Sequence, residues 1–155
     1  MTTGAELRTL RERCGASIDW LAVASGVTPR SIHRWELDDP NDQRSVPDDV
    51  VGLLADVADR QAELGEAMIS LIEEIGAAQV VLLAYRTQAD FDSGGGNEEG
   101  WSPQMHRVVL GLVQEAFENV RIVWFDRLLY DAWRAVNAPG QIDSTELRSQ
   151  WAAAG

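Results

Sequence analysis

Between residues 5 and 36 the apolar positions recur at helical spacing in three short runs separated by glycine. The first run predicts a helix from about Ala5 to Cys14, with Leu7 and Leu10 inward and Gly15 where a left-handed C-terminal cap is cheap. The Ser17 hydroxyl is placed to cap a second helix in which Ile18, Leu21, Ala22 and Ser25 follow at i, i+3, i+4 and i+7. Gly26 ends it. Thr28 as N-cap and Pro29 at the first helical position then open a third helix to about Glu36, so two short helices meet at a tight Gly-centred turn. On the third helix Ile32 and Trp35 turn inward, which leaves Arg30, His33 and Arg34 on the opposite side.

Residues 37–46 are a polar loop. A long helix follows, capped near Ser45, with Pro47, Asp48 and Asp49 in its first turn, where acids favour the helix dipole. Val50, Leu54, Val57, Gln61, Leu64, Met68, Leu71 and Ile75 recur along it alternately four and three apart, a heptad pattern with one polar interruption. Two readings stand: the helix packs on its own domain, or it also pairs with its twin. Gln79–Tyr85 is short, β-branched and apolar, as in a buried strand. The Gly-rich run at 93–100 predicts a flexible loop. Ser102 and Pro103 open a helix to about Asn119, with Val108, Val109, Leu112, Val113 and Ala116 on one side. Residues 120–125 fit a second strand or a helix, residues 126–136 a helix, and Asp143 with Glu146 a capped C-terminal turn. The fold class expected is mainly α: an N-terminal module over 1–46, a connecting helix over 47–76 and an α-rich module over 77–155 with one or two short strands.

Charge sharpens this division. The chain has 13 Arg, no Lys and 25 acids, for a net charge of -12. Residues 1–46 hold six Arg against seven acids, a net of -1, and residues 47–155 seven Arg against eighteen acids, a net of -11. Exposed charges more than about 8 Å apart are largely screened at physiological salt, so downstream acidity does not forbid a nucleic-acid face upstream. It does predict weak non-specific binding. One cysteine, Cys14, excludes an internal disulfide. No apolar run is long enough for a membrane span and no secretory leader is recognisable, so a cytoplasmic protein is expected.

The run from Leu7 to Glu36 resembles the Xre/Cro-type helix-turn-helix of lambda-repressor-like regulators, over about residues 5–56. Ala22 stands at the small position where the two helices cross, Gly26 at the turn glycine, Val27 and Ile32 at buried positions, and Trp35-Glu36 at the pair that often closes the recognition helix. The remainder is similar, more loosely, to the YdiL-like proteins and anti-CRISPR-associated repressors. The likeness there lies in a Tyr85-Arg86 strand, an Asp90-Phe91 turn and a helix started by Trp101. That resemblance implies a homodimer formed by the second part. Ile18, followed by Asp19 and Trp20, stands where such domains often carry a phosphate-touching Gln, and there the resemblance supplies no contact.

The resemblance and the exposed face together nominate Ser17, Thr28, Pro29, Arg30, His33, Arg34 and Arg44 as DNA-binding. Arg30 is the candidate for a bidentate contact to guanine, Arg34 and Thr28 reach a base or a phosphate, and Arg44 a phosphate. Trp35 is expected in the core, and Trp20 either packs on the long helix or faces a partner. Val80, Leu82, Leu112, Phe117, Trp124, Phe125 and Trp133 are candidates for the core or the dimer surface. His106 is expected to be a surface or hydrogen-bonded residue, and it makes no zinc set with Cys14. Adjacent acids such as Glu73-Glu74 diverge by about 100° on a helix, so no cofactor, metal or enzyme site is expected. The function expected is a homodimeric DNA-binding repressor reading an inverted repeat of double-stranded DNA. The alternative is an antitoxin-like adaptor whose acidic half binds a partner protein.

Overall fold

The computed structural model describes residues 1–37 and 45–155. It is mainly helical, in the order α1 (Gly4–Arg13), α2 (Ile18–Ser25), α3 (Pro29–Glu36), α4 (Asp48–Ile75), β1 (Val80–Ala84), α5 (Gln88–Ser93), α6 (Pro103–Ala116), β2 (Val120–Trp124), α7 (Arg127–Asn137) and α8 (Thr145–Ala154). Two compact units divide it, Met1–Leu64 and Gly65–Gly155.

Local chemistry accounts for the ends of the short helices in the first unit. Thr3 and Glu6 form a reciprocal capping box on α1, which therefore starts one residue earlier than the apolar run suggests. Ser17 Oγ accepts from Trp20 N, and Gly26, at φ +69°, closes α2 in the left-handed region that a side chain disfavours. Thr28 Oγ1 accepts from Ser31 N with Pro29 at the start of α3. Ser45 lies outside the long helix: Val50 N and Val51 N donate to Pro47 O, so Pro47 is its entry point.

The core of this unit is Leu7, Cys14, Leu21, Ala22, Ile32, Val50 and Leu54, all within 4% of full burial. The buried stripe of α1 continues from Leu7 through Arg11 rather than Leu10, which is half-buried. The polar interruption of the heptad also has a partner. Gln61 is 3% exposed and donates through Nε2 to Cys14 O at 2.9 Å, satisfying a carbonyl at the α1 terminus that would otherwise be stranded. Cys14 donates through Sγ to Leu54 O at 3.5 Å, and burial pushes its thiol pKa up.

The heptad does not hold to the end of α4. Leu71 and Ile75 are 55% and 63% exposed, while Ile72 is buried with Met68 and Ile69 beside it. The stripe that packs in the second unit is Gly65, Met68, Ile69 and Ile72, and Leu71 lies about 110° and Ile75 about 70° around the helix from its centre.

In the second unit β1 and β2 form a two-stranded parallel sheet, with Val80 opposite Val120 and Ala84 opposite Trp124. β1 is half-buried over most of its length rather than enclosed, because two strands leave an open edge on each side. Residues 120–124 are strand, which settles the ambiguity of that run. α6 stops at Ala116, short of Asn119. Phe117 is already extended, and Asn119 donates through Nδ2 to Ala77 O at 2.9 Å, tying the strand entrances together.

Met105, Val109, Leu110 and Val113 form the buried face of α6. Leu112, on the predicted face, is 38% exposed. The Asp90-Phe91 turn is the short helix α5, and the Gly-rich loop after it is pinned by Asn97, whose Nδ2 donates to Asp92 Oδ1 at 2.7 Å and to Trp101 O at 2.8 Å. α8 is a full helix capped by Ser144, not a turn capped by Asp143.

Asp143 instead meets Arg148, which is wholly buried and carries the polar core of this unit. Arg148 Nε donates to Asp143 Oδ1 at 3.0 Å, its Nη1 to Asp90 O at 2.6 Å and its Nη2 to Ser93 Oγ at 2.9 Å. Tyr130 donates to the same carboxylate at 2.7 Å, and the guanidinium lies 4.3 Å from the centre of the Phe125 ring. Burial pushes the Asp143 pKa up, but the Arg148 and Tyr130 hydrogen bonds outweigh it and hold the carboxyl below its usual range.

Candidate nucleic-acid interface

α2 and α3 pack across the Gly26 turn, and α1 packs on α3. Ile32, fully buried, anchors α3 from beneath. Trp35 is half-buried rather than enclosed: three residues on, it sits about 60° around the helix from Ile32, at the flank of the buried face. The far end of α3 is held by a charge pair that the spacing of residues had not suggested. Arg11 Nε and Nη2 donate to Glu36 Oε1 and Oε2 at 2.6 and 2.9 Å, and Nη1 donates to Ala16 O at 2.9 Å. Both side chains are almost enclosed, at 10% and 7% exposure. Glu36 thus owes its place beside Trp35 to a fork-to-fork pair with α1. The signal available was Arg11 itself, one turn after Leu7 on the same stripe.

Such a mounting is made from the inner side of α3. Pro29, Arg30, His33 and Arg34 are all exposed on its outer face. Arg30 makes no hydrogen bond or ion pair with the described residues, and its five N–H donors point at solvent chemistry rather than at the fold. Thr28 and Ser17 stand exposed at the N-termini of α3 and α2. Each hydroxyl oxygen accepts from a backbone N–H, which fixes the side chain at a helix end where backbone donors favour an anion. Thr28 also shares a hydrogen bond with the Ser31 hydroxyl at 3.0 Å. Of the nominated residues, six therefore gather on the α2–α3 side of one unit, and Arg44 lies outside the described residues.

In the second unit the core or interface candidates separate. Phe125, at 3% exposure, is core. Val80, Leu82, Phe117 and Trp133 are half-buried, and Leu112 and Trp124 are exposed at 38% and 44%. Trp124 is flanked by Arg86 and Arg107, with guanidinium carbons 4.9 and 5.5 Å from the ring centre. His106 is neither a surface residue nor a satisfied one: its Nδ1 is buried with no partner among the described residues.

The arrangement in the first unit, a Gly-turned pair of short helices with a polar face on the second, defines a helix-turn-helix domain. Residues 3–68 match the family model described as a helix-turn-helix domain. No curated protein sequence matches the chain.

Proposed function

We propose that the chain is a sequence-specific DNA-binding transcriptional regulator, a homodimeric repressor that lays α3 in the major groove of an inverted repeat. The observation that carries this is the contrast on α3 itself. One arginine of the unit, Arg11, is consumed in holding the helix, while Arg30 stands on its outer face with no protein partner among the described residues. Arg30 then contacts a guanine edge, Arg34, His33 and Thr28 neighbouring bases or phosphates, and Ser17 a phosphate at the N-terminus of α2. No helix among the described residues is long and apolar enough to cross a membrane.

The dimer draws support from α7, which exposes Leu128 at 82%, Leu129 at 62% and Val136 at 78%, with exposed Ala132 and Ala135 between them. Helical spacing places these on one apolar stripe, the kind of surface a second chain covers. Two such chains would present recognition helices to half-sites about 34 Å apart. The same stripe favours the second reading, an antitoxin-like adaptor that covers α7 with a different protein.

Titration of fluorescent DNA from the region upstream of the coding sequence, at two salt concentrations, tests the first reading. Binding that weakens as salt rises is expected, because each phosphate contact releases counterions. Failure to bind any upstream fragment at low salt removes the reading. Light scattering at micromolar concentration should give the mass of two chains, and the mass of one chain would favour the adaptor.

A further inference from the structure

The second unit contains a cavity of about 260 Å³ whose walls no DNA contact explains. Three consecutive residues of β1, Val81, Leu82 and Leu83, line it. Side chains of neighbouring strand residues point to opposite faces, so a cavity that touches all three meets the strand along its edge.

The hydrogen-bond pattern identifies that edge. Val80 N donates to Asn119 O at 3.1 Å and Phe125 N to Ala84 O at 2.8 Å. In the parallel register this turns the peptide groups of Val80, Leu82 and Ala84 toward β2, and those of Val81 and Leu83 away from it. No strand pairs with that outer edge in the two-stranded sheet.

Opposite the edge stand Phe91 and His106, with ring centres 4.8 Å apart, and Ser149 of α8. The His106 ring lines the cavity beside Phe91, while its Nδ1 is buried away from it with no partner among the described residues. Burial, and secondarily the nearby Arg107 charge, hold the His106 pKa down at about 4, so the ring is neutral at pH 7. No Asp, Glu or Arg side chain lines the cavity among the described residues.

We propose that this cavity binds a small uncharged aromatic amide, its ring against Phe91 and His106 and its amide paired with the peptide groups of the free β1 edge. An amide offers one donor and one acceptor side by side, the complement of a strand edge. Drug-sized pockets start at about 300 Å³, so this one takes a fragment-sized molecule, and millimolar affinity is the expected scale. No residue of the helix-turn-helix face takes part, so the site stands or falls independently of DNA binding.

Benzamide is the probe, titrated into the full-length 15N-labelled protein while backbone amide shifts are followed. Saturable shifts are expected at Val81, Leu83 and Phe91. Toluene, the ring without the amide, should bind at least about tenfold more weakly. Ser149→Trp, at an exposed position of α8, should abolish the shifts while leaving the rest of the spectrum in place. The proposal is overturned by the absence of saturable shifts up to about 10 mM, by toluene binding as well as benzamide, or by undiminished binding to Ser149→Trp. It is also overturned if the Val81 and Leu83 signals respond to protein concentration instead of benzamide, which assigns the edge to a second copy.

Discussion

The two units each bury an arginine and put it to opposite uses. In the first, Arg11 makes one bidentate pair with Glu36 and joins two helices, and apart from Gln61 the buried side chains around it are apolar. In the second, Arg148 sits at 0% exposure among Asp143, Ser93, the Asp90 carbonyl and the rings of Phe125, Tyr85 and Tyr130, so that the polar network is itself the centre of the unit. The first arrangement anchors α3 through that pair and leaves Arg30 on its outer face with no partner among the described residues. The second draws a further arginine into its network: Arg127 also pairs with Asp90 and Asp143. Burying ionic groups does not by itself stabilise a fold relative to apolar packing, but removing one partner is expensive. The contrast is therefore best broken one partner at a time.

The largest effect should come from Asp143→Ala. It leaves the fully buried Arg148 without its carboxylate and should cost about 5 kcal/mol of the second unit's stability, at the upper end for a broken buried pair. Urea unfolding followed by Trp fluorescence would show this unit melting first, and an unchanged midpoint would remove the network from the centre of the account. Glu36→Ala should cost about 3 kcal/mol in the first unit and abolish DNA binding with it, because Arg11 is left enclosed and α3 loses its far anchor. A Glu36→Ala protein that unfolds normally and still binds DNA would show the pair to be incidental.

Acid should separate the units again through His106. Its pKa is about 4 in the fold against 6.5 free, so the unfolded chain takes up the proton first as pH falls. The neutral ring's contribution is complete above pH 6.5, and on the order of 3 kcal/mol is lost between there and about pH 4. In His106→Phe the second unit's stability should vary less with pH over that window. An identical pH profile would contradict the burial argument. Gly94→Ala should have a smaller effect on stability than these, about 1–2 kcal/mol, since a new Cβ would lie 2.7 Å from Arg148 Nη1 and the network must shift to admit it. Thermal unfolding would measure this, and no change would mean that the guanidinium has more room than its contacts imply.

Legibility in the sequence followed the range of the interaction. Ser17, Gly26, Thr28 and Pro29 announce α2 and α3 because caps and turns are decided within three or four residues. The outward set of Arg30, His33 and Arg34 follows from the same short periodicity. Partners far apart left no such trace. Gln61 showed only as a break in a heptad, since its acceptor Cys14 O lies 47 residues away, and Arg148, though Asp143 is only five residues off, read as a surface arginine because its other acceptors, Asp90 O and Ser93 Oγ, lie 58 and 55 residues away. Leu71 and Ile75 were misplaced because the second unit packs the stripe of Gly65, Met68, Ile69 and Ile72 rather than continuing the heptad. On α6 the buried face shares Val109 and Val113 with the expected one but is centred about 50° further round, on the side of Leu110.

The central claim is that α3 reads DNA through an arginine the fold does not use. Its most direct test is the affinity ratio between the protein's own operator and a scrambled duplex of equal length, for the wild type and for Arg30→Ala at one fixed salt concentration. Arg30→Ala should leave stability within about 0.5 kcal/mol of the wild type. It should lose about 1–3 kcal/mol of affinity for the operator and little for the scrambled DNA, collapsing the ratio. A ratio unchanged by the substitution, or equal losses on both duplexes, would contradict a base contact from Arg30.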